Sequence, residues 1–185
     1  MSQPGAAGAV EPVADLAEMI KARIRDVPDF PSPGIVFKDI TPLLADAPAL
    51  GAVVEALSAG TGAVDKVAGI EARGFILAAP VAFRLGAGFV PVRKAGKLPA
   101  ATYKKDYQLE YGTATVEVHR DAFAPGDRVL IVDDVLATGG TARATADLVH
   151  QAGGEVARVS VLLELEFLNG RSKLTGLDLR SLLAV

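Results

Sequence analysis

Apolar residues recur at helical spacing in two early segments. Leu16, Met19, Ile20 and Ile24 mark one face of a helix over about Asp15 to Arg25, with Asp15 and Glu18 at capping-box spacing. Asp46 caps a second helix, whose apolar face runs through Leu50, Val53, Val54 and Leu57 and which stops at Gly60. Beyond it, short apolar runs alternate with helical stretches. Lys66 to Ile70 reads as a buried strand, Phe75 to Leu85 as a helix and Phe89 to Arg93 as a strand. Val129 to Val132 is a continuous β-branched and aliphatic run behind the turn signal Pro125-Gly126-Asp127, the pattern of a strand covered on both faces in a parallel sheet. A helix from Thr141 to Ala152 follows, stopped by Gly153-Gly154, and Arg158 to Leu163 is another buried strand. Thr113 to Val118 instead alternates, as a strand with one wet face, and Glu117 is expected on that face. These are the elements of an α/β chain.

Three stretches break the pattern. Met1 to Val13 is rich in Gly, Ala and Pro and lacks the basic-then-apolar order of a signal peptide, so a disordered tail is expected ahead of a single domain over residues 14–185. Val27 to Gly34 holds three prolines and is not expected to form regular structure, with Ile35 to Ile40 emerging from it extended. Ala100 to Gly112 mixes charges and three tyrosines without either periodicity, which predicts a mobile flap.

Composition then removes several classes. The 185 residues suffice for one core that takes roughly 70% of the unfolded surface out of water. A net charge of −3 argues against general nucleic-acid binding. The absence of cysteine excludes disulfides and thiolate metal sites and is compatible with a cytoplasmic protein. The longest apolar candidate, Gly74 to Phe83, falls short of the about eighteen residues a membrane span needs.

Chemistry concentrates behind the Val129 run. Asp133 and Asp134 offer acceptors suited to a vicinal diol. Ala137, Thr138, Gly139, Gly140 and Thr141 follow, with two glycines that let backbone N–H groups approach an anion and a helix opening behind them. Phosphate plus diol means a ribose phosphate. The loop lacks the Walker A lysine, and Gly86-Ala87-Gly88 fails the dinucleotide pattern because Pro91 stands at its last glycine position. Glu71-Ala72-Arg73-Gly74, at another strand-to-helix turn, suits a second anion, and Arg93, Lys94 and Lys97 form a basic cluster. His119 and His150 stand apart from these groups. On composition alone Val27 to Ile40 would be a rigid connector with Phe37 in the core.

The run from Val129 through Asp133-Asp134 to A-T-G-G-T resembles the phosphoribosyl pyrophosphate (PRPP) signature of the type I phosphoribosyltransferases. Pro28 to Ile40, read as P-D-F-P-x-P-G-x-x-F-x-D-I, and the later L-E-Y-G at Leu109–Gly112 are similar to the adenine phosphoribosyltransferases. The resemblance extends from about Asp15 to Leu183. It implies a mostly parallel central sheet flanked by helices, a small hood from about residues 27–45 and 164–183, and a flexible flap. It implies transfer of the phosphoribosyl group from PRPP to adenine, giving AMP and pyrophosphate, with Mg²⁺ held by substrate and water rather than by protein ligands. Asp133 and Asp134 would hold the ribose hydroxyls and Ala137 to Thr141 the 5′-phosphate. Arg73, in a loop that in this family often has a cis peptide between its first two residues, would meet pyrophosphate. Arg93, Lys94 and Lys97 would join it there, Arg93 across a homodimer interface, and Tyr111 belongs with the substrate-binding residues. Val36 and Phe37 would read and stack the base, Leu165 would cover its other face, and Lys38 stands where many relatives carry arginine. Glu110 is the implied general acid or base. A transferase for xanthine or hypoxanthine and a non-catalytic PRPP-sensing regulator remain the alternatives.

Overall fold

A computed structural model describes residues 13–108 and 112–185, so the tail, Leu109, Glu110 and Tyr111 lie outside the described residues. The chain divides into two compact units, one ending at Leu50 and the other spanning Gly51–Val185.

The first unit opens with α1, Val13–Lys21. The helix starts ahead of Asp15, which therefore sits inside its first turn, and it ends before Arg25. Arg25–Pro28 is strand β1 and pairs antiparallel with β2, Val36–Asp39, in the register Val27↔Phe37. This corrects the expectation of irregular structure from Val27. The proline lies at the strand's last position, where a two-stranded ribbon tolerates it. A short α2, Thr41–Ala45, starts with proline in its first turn and was not legible from spacing. Asp46 Oδ1 accepts the Ala49 N–H at 3.1 Å and so caps α3, Ala47–Ser58, as expected.

The second unit is a seven-stranded sheet in the order β5-β6-β4-β3-β7-β8-β9. Strands β3 (Lys66–Ile70), β4 (Gly88–Lys94), β7 (Arg128–Leu136), β8 (Glu155–Glu164) and β9 (Leu179–Ala184) run parallel. Strands β5 (Thr102–Gln108) and β6 (Thr113–His119) form an antiparallel edge. Helix α4, Gly74–Leu85, links β3 to β4, and α5, Gly140–Gln151, links β7 to β8. Val129, Leu130, Ile131 and Val132 are fully buried, as a strand covered on both faces requires.

Two expectations change here. Most of the expected flap is strand β5, in register with β6 from Thr102↔His119 to Gln108↔Thr113. One face packs Tyr103 and Tyr107 against the core, but the exposed Lys105 between them breaks the alternation that would have marked a strand. Glu117, expected in water, is 1% exposed. Alternation tells which face of β6 a residue occupies, but not that residues 97–102 cover that face.

Candidate active site

Chain order and sheet order reverse between β3 and β7: from β3 the chain moves to β4 on one side, and from β7 to β8 on the other. Ligands in open α/β sheets lie in the crevice at such a switch point, beyond the carboxyl ends of the strands. The two candidate anion loops leave these two strand ends. A cleft of about 390 Å³ lies there, lined by Glu71, Ala72, Arg73, Lys94, Tyr107, Asp133, Asp134 and Thr141 among others.

The floor is built by close backbone approach. A Cβ on Gly74 would stand 2.7 Å from Asp133 Oδ1, so only glycine lets the start of α4 close on that carboxylate. The Glu71–Ala72 peptide is cis. Asp133 and Asp134 fall within β7, which runs on to Leu136, rather than after its end. Asp133 Oδ1 accepts the Asp134 N–H at 2.9 Å. Burial, and then the neighbouring Asp134 charge, push the Asp133 carboxyl well above the usual range. Asp134 is 6% exposed, and Arg73 Nη2 lies 2.6 Å from its Oδ2.

Beside the cleft, Ala137, Thr138, Gly139, Gly140 and Thr141 line a hollow of about 70 Å³ together with Asp133. Gly139 holds φ of 76° at the N-cap of α5. The first backbone bond of that helix is Arg143 N–H to Gly139 O, and among the described residues no N–H from Thr138 to Thr141 donates to a protein acceptor. Four N–H groups without a protein acceptor among the described residues thus belong to residues that line one hollow at the positive end of a helix dipole. Gly170 supports this loop from behind. A Cβ on Gly139 would lie 2.3 Å from Gly170 O, and one on Gly170 would lie 2.1 Å from Ala137 O. No sequence signal links positions so far apart.

The basic cluster is held differently. Glu71 accepts Arg93 Nε at 3.1 Å and the Lys94 N–H at 3.0 Å. Burial raises the Glu71 carboxyl, but the Arg93 and Lys94 donors outweigh it and leave it below its ordinary value. Lys94 lines the cleft, whereas Lys97 is exposed in the turn that follows. Tyr107 on β5 also lines the cleft and stands over Gly140, whose Cβ would meet its ring at 3.1 Å. Sequence reading singled out the run Glu71–Gly74 but gave Glu71 no role of its own, and it gave none to Tyr107 or Gly170.

In the first unit, Val36 is 51% exposed at the start of β2. The Phe37 ring packs edge-on against Phe30 at 5.2 Å. Lys38 Nζ bonds Asp26 at 2.8 Å. The turn ahead of β2 is fixed by the Gly34 N–H on Asp29 Oδ1 at 2.7 Å. In the second unit Leu165, half-buried, follows the last residue of β8 and donates its N–H to Leu136 O. Glu110 and Tyr111 lie outside the described residues. His119 lines a separate pocket with Lys66 and Phe89, and His150 is exposed on α5.

The model of the phosphoribosyl transferase domain matches residues 44–174. An adenine phosphoribosyltransferase of Acidothermus cellulolyticus is 63% identical over 94% of this chain and 99% of its own. The chain belongs to the adenine phosphoribosyltransferase family. Among solved structures, the adenine phosphoribosyltransferase of Rhodothermus marinus superposes with a TM-score of 0.89 at 54% identity, covering 93% of this chain and 99% of that one. The Saccharomyces cerevisiae adenine phosphoribosyltransferase, solved with an imino-altritol bisphosphate and adenine, superposes at 0.87 with 38% identity over 91% and 99%. The type I phosphoribosyltransferase fold expected from the motifs is therefore the fold observed.

Proposed function

We propose that this chain transfers the 5-phosphoribosyl group from PRPP to adenine, releasing pyrophosphate and giving AMP, a purine-salvage reaction. The observation that carries this reading is the convergence of three groups at the switch point: uncommitted loop amides, a carboxylate pair and Arg73. The amides of Thr138 to Thr141 hold the 5′-phosphate, and Asp133 and Asp134 hold the ribose hydroxyls. A carboxyl already raised by burial and by Asp134 gains when diol hydroxyls donate to it, which favours its charged form.

As pyrophosphate leaves C1′, the sugar becomes oxocarbenium-like while negative charge grows on the leaving group. Cations preplaced there lower the barrier. Arg73 and Lys94 line the cleft, with Arg93 just ahead of Lys94 in β4 and Lys97 in the segment beyond. Mg²⁺, held by substrate oxygens and water rather than by protein ligands, would neutralise charge on the pyrophosphate. Glu110 is the group assigned to move the base's proton, and Glu110→Gln should lower turnover by about 10²–10⁴.

Adenine presents a donor at its amino group and an acceptor at N1, and hypoxanthine reverses both. Fixed backbone groups at Val36, behind the bonded Asp29–Gly34 turn, can reject the reversed pattern, because a mismatch leaves polar groups unpaired. Phe37 is assigned to stack on the ring, Leu165 to cover its other face and Lys38 to the base contacts, and Tyr111 is assigned to the PRPP contacts. The hood is assigned to about residues 27–45 and 164–183.

The enzyme is assigned as a homodimer with Arg93 reaching the neighbouring site. In support, α4 presents Ile76 and Phe83, 48% and 90% exposed, two turns apart on one face. A monomer fully active at nanomolar concentration would contradict this. The enzyme is assigned to the cytoplasm, where its charged substrate and product, which do not cross membranes, are retained.

The test is pyrophosphate release with PRPP, Mg²⁺ and adenine, hypoxanthine or xanthine in turn. Release with adenine alone is expected. Release with another purine instead would reassign the base, and none with any base would favour a regulator.

A further inference from the structure

Glu117 is 1% exposed, and a carboxylate this deep needs several donors to replace its water. They come from two different segments. Oε1 accepts the Lys97 and Leu98 N–H groups at 2.9 and 3.0 Å. Oε2 accepts the Thr102 hydroxyl at 3.2 Å and lies 3.6 Å from Lys104 Nζ. Lys97 and Leu98 belong to the basic turn after β4, whereas Thr102 and Lys104 open β5, the strand that carries Tyr107 into the cleft. One side chain fastens both. The other end of the basic turn is fixed by Glu71 on the Lys94 N–H and by the Ala95 N–H on Thr115 O.

We propose that Glu117 is a positioning residue for the transfer reaction, holding the Lys94–Lys97 turn and the root of β5 in the arrangement that receives pyrophosphate. This rests on the reading of the cleft given above. Glu117 meets no substrate itself. Its bonds go to backbone N–H groups and a hydroxyl, so its loss leaves every cation present but lets the turn wander. Pyrophosphate must then order the turn on binding. Among the described residues the contacts of this carboxylate go to Lys97, Leu98, Thr102 and Lys104, none of them assigned to the base, so adenine binding should change little.

The experiment compares the full chain with Glu117→Gln and Thr102→Val. Glu117→Gln has the same shape but offers an N–H₂ where Thr102 and Lys104 now find an acceptor. It should weaken magnesium pyrophosphate binding, read by calorimetry, and raise KM for PRPP by about tenfold, while KM for adenine stays within about twofold. Limited trypsin digestion should cut faster after Lys97. Thr102→Val removes one of the two contacts to β5 and leaves the Lys97 and Leu98 bonds and the Lys104 ion pair in place, so pyrophosphate affinity and cleavage after Lys97 should change by less than about twofold, and a loss equal to that of Glu117→Gln would overturn the proposal. Unchanged pyrophosphate affinity and unchanged cleavage in Glu117→Gln would overturn the proposal. Equal losses for PRPP and adenine would also overturn it, since they would mark general damage. If the wild-type chain releases no pyrophosphate with adenine, the functional reading fails instead, and the trypsin comparison still decides whether Glu117 holds the turn.

Discussion

The two anion-facing sides of the cleft use their carboxylates and amides in opposite ways. On the β7 side the amides of Thr138 to Thr141 are uncommitted, and Asp133 is held well above its ordinary range, first by burial and then by Asp134. On the β4 side the amides of Lys94, Lys97 and Leu98 are bound to Glu71 and Glu117. Burial raises both of those carboxyls, but their donors outweigh it and leave each below its usual value. One side is built with unsatisfied groups that a sugar phosphate can satisfy. The other is satisfied within the fold, and offers only side-chain cations. Binding by backbone requires an unbonded loop, whereas binding by long flexible cations requires a rigid loop to carry them.

The largest expected effect breaks the β7 side. Gly139→Ala places a Cβ against Gly170 O at a residue with positive φ, and a displaced loop should lower kcat/KM for PRPP by about 10²-fold or more. A rate near wild type would mean that the loop does not hold the phosphate. Asp133→Asn removes a poorly tolerated charge but keeps an acceptor for the Asp134 N–H. PRPP affinity should fall by about tenfold while Tm at pH 7 rises by about 2–4 °C, the shift that ~1 kcal/mol gives a domain of this size. A lower Tm would show that Asp133 is stabilising and would erase the contrast between the two sides.

The legibility of the chain divides along the same line. β3, β7, α4 and α5 and the phosphate loop stood out because a doubly covered strand, a glycine pair and a helix stop are local signals. β5 and Glu117 did not, because each depends on what lies across from it. Glu117 alternates as a wet position and becomes dry only when residues 97–102 fold over it. Gly170 was invisible for the same reason. It matters through a backbone contact with Gly139 that no spacing rule reaches.

A smaller effect sharpens the β4 side. Glu71→Gln should loosen Arg93 and the Lys94 N–H and weaken pyrophosphate binding by about threefold to tenfold, with adenine binding unchanged in the same calorimetric series. The smallest effect is in pH. Glu71 and Glu117 have folded pKa values below the ordinary 4.5, so their contribution to stability is present above 4.5 and is lost as pH falls through the lower folded values. Asp133 runs the other way. Its pKa is raised above 3.8, so the fold is favoured fully below 3.8 and loses that contribution as pH rises through the folded value. The Tm advantage of Asp133→Asn should therefore shrink on acidification, and the Tm of Glu117→Gln should fall less steeply than wild type below pH 4.5.

Amide hydrogen exchange at single-residue resolution, with and without PRPP and Mg²⁺, reads both sides at once. The account predicts strong new protection at Thr138 to Thr141, and little change at Lys97 and Leu98, whose N–H groups are already bonded to Glu117. Protection appearing at Lys97 and Leu98 while Thr138 to Thr141 continue to exchange freely would contradict it.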